Sequence, residues 1–344
     1  MSARRRSQAF AAFILVCVAV AATAIGLAAR DSVPTSGAPV VPAAARDVLV
    51  RAQADERSVL LFRSLDRRQP KTYGQVAVTS LDDPSKPRRL VPLRCDRVHF
   101  QAGRGVCIAR GSSFAAGFKV KLFGERFRVQ REFAVKGVPS RARVSPDGRY
   151  GSVTLFVGGH SYAVAGMFST QTTLIDLERN MRIGDLESFS VSHRGRRVTA
   201  RDRNFWGVTF APDSDTFYAT MATGDKTYLV RGSVSKRRAQ TIHENIECPS
   251  LSPDGTRIGY KKRVGTGTKL WRLHVLDLAT MRETQLAEER VIDDQVEWLD
   301  GGRLLYRVDE EVWAVAANGS GRPRRFAASG DSPGVVRART PPNG

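Results

Sequence analysis

The stretch VGGHSYAVAG, Val157 to Gly166, sets His160, Ser161 and Tyr162 among small residues. A serine in a G-x-S-x-G setting is a hydrolase nucleophile when a strand, a sharp turn and a helix hold up its hydroxyl. Here Ala163 stands where the second glycine belongs. SVTLFV before the stretch and MFSTQTTLIDL after it both read as strands, so no helix follows. Ser161 is therefore expected to lie in a long inter-strand loop without catalytic work, leaving His160 and Tyr162 as binding candidates.

A second chemistry-bearing stretch is SFSVSHRGRRVTARDRNFWG, Ser188 to Gly207. It carries His193, Arg194, Arg196, Arg197, Arg201 and Arg203, followed by Phe205 and Trp206. Guanidinium groups beside aromatic rings suit anionic or planar ligands through forked hydrogen bonds and stacking. His193, the five arginines and Trp206 are thus candidate binding residues. The competing expectation is an exposed hairpin tip at HRGRR, with Phe205 and Trp206 entering a core strand.

Other reactive residues are weaker candidates. Asp293-Asp294 and Glu310-Glu311 are acidic pairs, and two carboxylates at the right separation can hydrolyse glycosides. Nothing in the sequence brings the pairs together. His99, His160, His193, His243 and His274 lack metal-ligand spacing, and no cysteine pairs with them at zinc spacing. Neither a metal nor a cofactor is expected. Asn318-Gly319-Ser320 reads as a tight turn.

The elements that must position these residues repeat. RVSPDGRYGSVTLF (143–156), TFAPDSDTFYATM (209–221) and SLSPDGTRIGYKK (250–262) share one form, with EWLDGGRLLYRV (297–308) a degenerate copy. Each is an apolar strand, a Pro-Asp-Gly type turn and a second strand. Proline presets φ, aspartate bonds its own backbone and glycine accepts positive φ. A second hairpin follows each copy: TLIDLERNMRIGDL, HVLDLATMRETQL and AVAANGSGRPRRF, with VTSLDDPSKPRRL upstream in the same set. The turn aspartates Asp147, Asp213, Asp254 and Asp300 stand 66, 41 and 46 residues apart. The long interval holds the insertions just described. Adding HFQAGRGVCIA and SVLLFRS upstream gives six units of ~40–45 residues, the size of a four-stranded propeller blade. SPGVVRA (332–338) is expected to close the ring as the first strand of the first blade, with DVLVRA (47–52) the other contender.

SPDGRYG and SPDGTRIGY resemble the repeat of TolB-like β-propellers, over about residues 50–338. The resemblance implies an all-β, six-bladed propeller of four-stranded antiparallel blades, acting in protein–protein or envelope contacts. No counterpart of the α/β N-terminal domain of the periplasmic translocation protein is expected in this chain. In a blade, the loop between strands two and three shares a face with the link to the next blade. The loop around His160 and the arginine-rich insertion are thus expected on one face.

The 344 residues carry a net charge of +20, mostly as arginine spread along the chain. Such a field favours anionic partners. Arg4, Arg5 and Arg6 precede an uncharged apolar run, residues 9–29, long enough to cross a bilayer as a helix of ~20 residues. The arginines keep residues 1–8 cytoplasmic. The run reads as a transmembrane signal anchor, although Ala22-Thr23-Ala24 could be a cleavage site. Leu15-Val16-Cys17 has a bulky valine where a lipoprotein box has a small residue. Residues 30–47 read as a flexible linker, 48–338 as the propeller and 339–344 as a disordered tail. Cys95 and Cys107 flank the turn-like QAGRG stretch, so they are expected on the two arms of one hairpin and to form a disulfide in an exported domain. Cys248 is left as a buried thiol.

The function expected is that of a membrane-anchored, exported, non-enzymatic binding protein. Its partner would be an envelope protein or an anionic polymer or lipid headgroup, not nucleic acid. A hydrolase or lactonase centred on the propeller channel is the alternative.

Overall fold

The computed structural model describes residues 58–85, 88–111, 117–158, 169–265 and 271–337. The expected anchor, linker and tail, DVLVRA, and the loop with His160, Ser161, Tyr162 and Phe168 lie outside the described residues. No helix among the described residues is long and apolar enough to cross a membrane.

Among the described residues twenty-six strands form six sheets, antiparallel throughout except for one parallel pairing. The first blade contains β1 (Val59–Ser64), β2 (Gln75–Ser80) and β3 (Arg89–Arg94). The second contains β4 (Arg97–Gln101), β5 (Arg104–Arg110), β6 (Phe118–Gly124) and β7 (Val129–Val135). The third contains β8 (Val138–Val144), β9 (Tyr150–Val157), β10 (Ser169–Asp176) and β11 (Met181–Asp185). Two extra strands follow, β12 (Ser190–His193) and β13 (Arg196–Arg197). The fourth blade contains β14 (Asn204–Phe210), β15 (Thr216–Thr223), β16 (Lys226–Ser233) and β17 (Arg238–Glu244). The fifth contains β18 (Glu247–Leu251), β19 (Arg257–Arg263), β20 (Trp271–Asp277) and β21 (Glu283–Gln285). The sixth contains β22 (Glu297–Trp298), β23 (Arg303–Val308), β24 (Glu311–Ala316) and β25 (Arg324–Ala327). The last strand, β26 (Gly330–Val336), returns to the first blade as its inner strand, paired with β1. The C-terminal contender thus occupies that position.

The turn chemistry repeats with the sequence. In the third blade the Ser145 hydroxyl donates to Asp147 Oδ1 (2.6 Å), which also accepts Arg149 N–H (2.9 Å). In the fifth, Ser252 and Asp254 make the same contacts, and Thr256 N–H takes the place of Arg149. Gly148 and Gly255 sit at φ +75° and +74°, a region most side chains avoid.

Because each blade packs between two others, its middle strands bury both faces and read as continuous apolar runs. β1 shows the division. Val59 and Leu61 join the cluster shared with the second blade, while Leu60 and Phe62 join the one shared with the sixth. Six such clusters fill the six interfaces. The Cys95–Cys107 disulfide reinforces one of them, with Cα atoms 5.5 Å apart. Cys95 is not on an arm of the β4–β5 hairpin. Its N–H bonds Gly74 O in the first blade, while Asp96 N–H bonds Ile108 O in the second, so the bridge ties the crossing between blades.

Candidate functional site

Two places gather polar side chains: the channel and the outer edge of the fourth blade.

The inner strands bring one residue per blade to a common level. The last paired residues before the turn are Val144, Phe210, Leu251 and Trp298 in blades three to six. The residues just before them are Arg143, Thr209, Ser250 and Glu297. His99 of β4 joins them, and Gly334 of β26 leaves room for the His99 ring. Arg143 pairs with Glu297 and approaches Ser250 Oγ at 3.5 Å and Val296 O at 3.2 Å. Thr209 Oγ1 accepts Leu251 N–H (3.1 Å). His99 Nδ1 accepts Val144 N–H (3.1 Å), and its Nε2 lies 3.1 Å from Arg143 Nη1 and 3.8 Å from Glu297 Oε2. Burial, with the charges of Arg143 and Arg337, lowers the His99 pKa against the pull of Glu297. Burial pushes Glu297 the other way, but Arg143, His99 and Arg337 outweigh it and hold the carboxyl well below its ordinary range.

This layer plugs the channel. On the turn side it floors a cavity of about 110 Å³. On the other side about 20 Å³ remains among Arg97, Arg141, Asp294 and Ser332. Below the plug, Arg141 pairs with Asp294 (3.4 Å) and touches Cys248 Sγ (3.7 Å). Cys248 is a buried free thiol. Among the described residues no group of three His, Cys, Asp or Glu side chains is arranged to hold a metal.

The arginine-rich insertion takes an unexpected course. Its base does lie beside that of the loop before it, since the Asn204 side chain accepts Thr170 N–H (2.9 Å) and the Ser169 hydroxyl (3.0 Å). The insertion then folds back along the rim as the β12–β13 hairpin. β12 pairs in parallel with β17, widening the fourth blade to six strands. Arg194 (φ +49°) and Gly195 (φ +77°) form its two-residue turn, for which both left-handed conformations are suited. Arg194, Arg196, Arg197 and Arg201 are exposed and make no ion pair among the described residues. His193 secures the hairpin, with Nδ1 2.8 Å from Thr241 Oγ1 and its ring edge-on to Tyr228. Two candidates are structural instead. Arg203 directs its guanidinium at the main-chain carbonyls of Phe189, Val198 and Glu187. Trp206 is buried in inner strand β14. His160 and Tyr162 lie outside the described residues.

Pairing shows what the added strands do. Arg197, Ser192, Gln240 and Arg231 are successive cross-strand partners, so they share a face, with Ser190, Arg238 and Ser233 in the next row. Val191 and Ala239 point the other way, into the core between blades three and four. Ser192, Gln240, Arg231, Arg238 and Ser233 line a groove of about 500 Å³ with Lys236, Thr216 and Asp215. The Asp215 carboxylate is already held by the Ser233 hydroxyl (2.5 Å) and Ser235 N–H (2.8 Å). Arg231, Lys236 and Arg238 outnumber that one carboxylate, so the groove is basic. The sequence pointed to the hairpin arginines but not to Arg231, Lys236 or Arg238, which only the pairing of β12 with β17 brings alongside.

No protein-family model and no curated protein matches the sequence. Solved structures do. TolB from Acinetobacter baumannii superimposes with a TM-score of 0.54 at 14% identity, over 82% of this chain and 66% of that one. The fold is the TolB-like six-bladed propeller. A chain of a nidogen/laminin complex gives a TM-score of 0.55 at 11% identity, over 82% of this chain and all of that one. This chain spans just under two thirds of the length of the TolB chain. At these identities the likeness concerns the fold.

Proposed function

We propose that the chain is a non-enzymatic binding protein that receives an acidic segment of another envelope protein along the edge of its fourth blade. The observation that carries this reading is the groove between β12 and β16. Arg231, Lys236 and Arg238 line it against the single carboxylate of Asp215, and Arg197, the cross-strand partner of Ser192, lies on the same face. Rigid strands present these cations in rows, which suits an extended anionic chain better than a single charge. The solved complexes that share this architecture include one of nidogen with laminin, in line with a protein-binding role.

The compartment rests on the N-terminal sequence. Arg4, Arg5 and Arg6 ahead of the apolar run 9–29 support a single-pass anchor with the propeller on the extracytoplasmic side. The inter-blade disulfide suits that side.

The alternative, hydrolysis at the channel, finds less support. His99 has its Nδ1 committed to a backbone N–H, and Glu297 is ionised against Arg143. A general acid or base works best with a pKa near the operating pH, and both groups are driven away from it.

The reading is tested with poly-glutamate and the purified chain at low salt. Binding should fall in Arg231→Ala/Arg238→Ala and in Arg194→Ala/Arg196→Ala/Arg197→Ala. Equal binding by these variants would sink it. Preferential binding to phosphatidylglycerol vesicles over poly-glutamate would reassign the edge to a lipid surface.

A further inference from the structure

The strand ends opposite the turns carry an exposed apolar pair. Val138 opens β8 and is 59% exposed, and its cross-strand partner Phe156, near the end of β9, is 39% exposed. Single exposed apolar residues are ordinary, but this pair does not stand alone. Phe118 at the start of β6, Val135 at the end of β7 and Val157 at the end of β9 are half-buried at the same ends of blades two and three. Five apolar side chains therefore stand at one end of two neighbouring blades.

The free charge around them has one sign. Arg110 at the end of β5 is exposed and stacks on the Phe118 ring, 5.3 Å from its centroid. Lys136, in the link between β7 and β8, and Arg201, on the insertion before β14, are exposed and make no ion pair among the described residues. No acidic residue occurs between Asp96 and Glu125, and only Asp147 between Glu132 and Asp176. Asp147 is held in the turn at the opposite end of its blade. The carboxylates that border the region are engaged. Asp96 pairs with Arg63 (3.6 Å) and Glu132 with Lys119 (2.5 Å). Asp185 accepts the Gln171 amide (2.8 Å), Glu187 accepts Thr172 N–H (3.1 Å) and Asp202 accepts Gly224 N–H (2.7 Å).

An apolar centre flanked by cations matches the boundary of an anionic bilayer. Apolar side chains there enter the edge of the acyl region, and each nearby lysine or arginine gains from the negative surface potential. A second copy fits poorly. Meeting this face across a two-fold axis, it would set its own Arg110 and Lys136 against these. The nearness of a bilayer rests on the N-terminal anchor proposed above. Residues 30–57, when extended, are long enough to bring either face of the propeller to it.

We infer that the ends of blades two and three opposite the turns rest on an anionic phospholipid surface, with Val138 and Phe156 in its apolar boundary and Arg110, Lys136 and Arg201 at the phosphates. The contact is separate from the blade-four groove and uses none of its residues.

Vesicles with brominated acyl chains, which quench tryptophan on contact, test this on the full chain. Phe156→Trp, with Val138→Trp as a second reporter, should be quenched beyond the wild type in vesicles containing phosphatidylglycerol, and little in phosphatidylcholine alone. Met281→Trp, an exposed position in the turn after β20 at the opposite end of the fifth blade, should show no added quenching. Arg110→Gln/Lys136→Gln in either reporter should lose most of the signal. Arg194→Ala/Arg196→Ala/Arg197→Ala should keep it, and vesicle binding that persists in that variant leaves the blade-four groove to acidic chains. Co-flotation of the wild type with phosphatidylcholine vesicles reports the anchor by itself. If co-flotation fails while phosphatidylglycerol still quenches the reporters, the anchor reading falls and this face stands. Quenching of Met281→Trp as strong as that of Phe156→Trp, or none of either reporter, overturns the inference. So does a blue-shifted reporter emission without lipid, on raising the protein concentration or adding poly-glutamate, which assigns the face to a second copy or to an acidic protein.

Discussion

Asp331 on the closing strand lies 2.9 Å from the guanidinium of Arg97 in the second blade. Arg63 of the first blade (3.3 Å) and Arg307 of the sixth (3.4 Å) approach the same carboxylate, which is fully buried. One side chain of the C-terminal strand therefore joins three blades where the ring closes.

Removing that carboxylate should be severe. Asp331→Ala leaves three guanidinium groups crowded around an empty position, and breaking a buried pair from one side costs ~3–5 kcal/mol. Burial favours the neutral acid here, but Arg97, Arg307 and Arg63 prevail and lower its pKa. The sign follows. The carboxylate stabilises the fold above the ordinary aspartate range, ~3.9, and that contribution is lost as pH falls through the lowered value. Urea titrations should show Asp331→Ala strongly destabilised at pH 7 and the deficit shrinking toward pH 2. A deficit of the same size at both pH values would refute the ion-pair account.

Reduction of the Cys95–Cys107 bond should loosen the junction of the first two blades. The bridge closes a loop of 12 residues, and loops of that order are worth about 3 kcal/mol through the unfolded chain. The Cys95→Ser/Cys107→Ser variant should match the reduced wild type in midpoint and show no further change with reductant.

The architecture was legible because a blade is a local unit. Asp147 and Asp254 bond their own turns, so the motif that encodes the hairpin also marks its place. Even the closing strand showed itself, since SPGVVRA had an inner-strand pattern and no blade of its own. The channel layer was written in the same repeat but hidden by dispersion. Arg143, Thr209 and Ser250 each stand three residues before the turn proline, and Glu297 three before Asp300. A polar residue recurring at that point of an apolar strand was the available signal. The blade-four groove had no such signal. It depends on β12 pairing with β17, a parallel contact between segments nearly 50 residues apart that no local pattern announces.

Gly207 should not tolerate a side chain. It sits at φ +65° in inner strand β14, and a Cβ there would lie 2.6 Å from Cys248 Cα, backbone of the next blade. Gly207→Ala combines an unfavourable conformation with a contact that cannot rotate away, so it should cost more than ~1 kcal/mol. An alanine variant of unchanged unfolding midpoint would show that the fourth and fifth blades can separate there at no cost.

Glu187 should make the protein lose stability as pH rises from the acid range to about 8. Its carboxyl accepts Thr172 N–H at 3.1 and 3.2 Å, taking over where β11 stops short. Burial pushes its pKa up to about 8 against the opposing pull of that N–H. Between the unfolded value, ~4.3, and about 8 the folded chain keeps a proton that the unfolded chain has lost. Stability from this group therefore falls as pH rises through that window. Glu187→Gln should flatten the fall, most visibly at pH 8. Parallel pH profiles for the two proteins would assign the slope elsewhere.

The last prediction separates the shape of the blade-four groove from its charge. Val191 is the buried residue of β12, 1% exposed, with its neighbours Ala239 and Phe189 in the core between blades three and four. A carboxylate in that position has no partner and is costly to bury. Val191→Asp should therefore detach the β12–β13 hairpin while the four main strands stay paired through β15 and β16. The basic groove then loses one wall, yet every arginine of the wild type remains. If the arrangement in rows is what an acidic chain recognises, poly-glutamate binding should fall about as far as in Arg231→Ala/Arg238→Ala, and trypsin should cut first at Arg194, Arg196 and Arg197. If cleavage moves to the hairpin but binding does not change, recognition rests on net charge alone, and the extra strands serve only to cover the edge of the fourth blade.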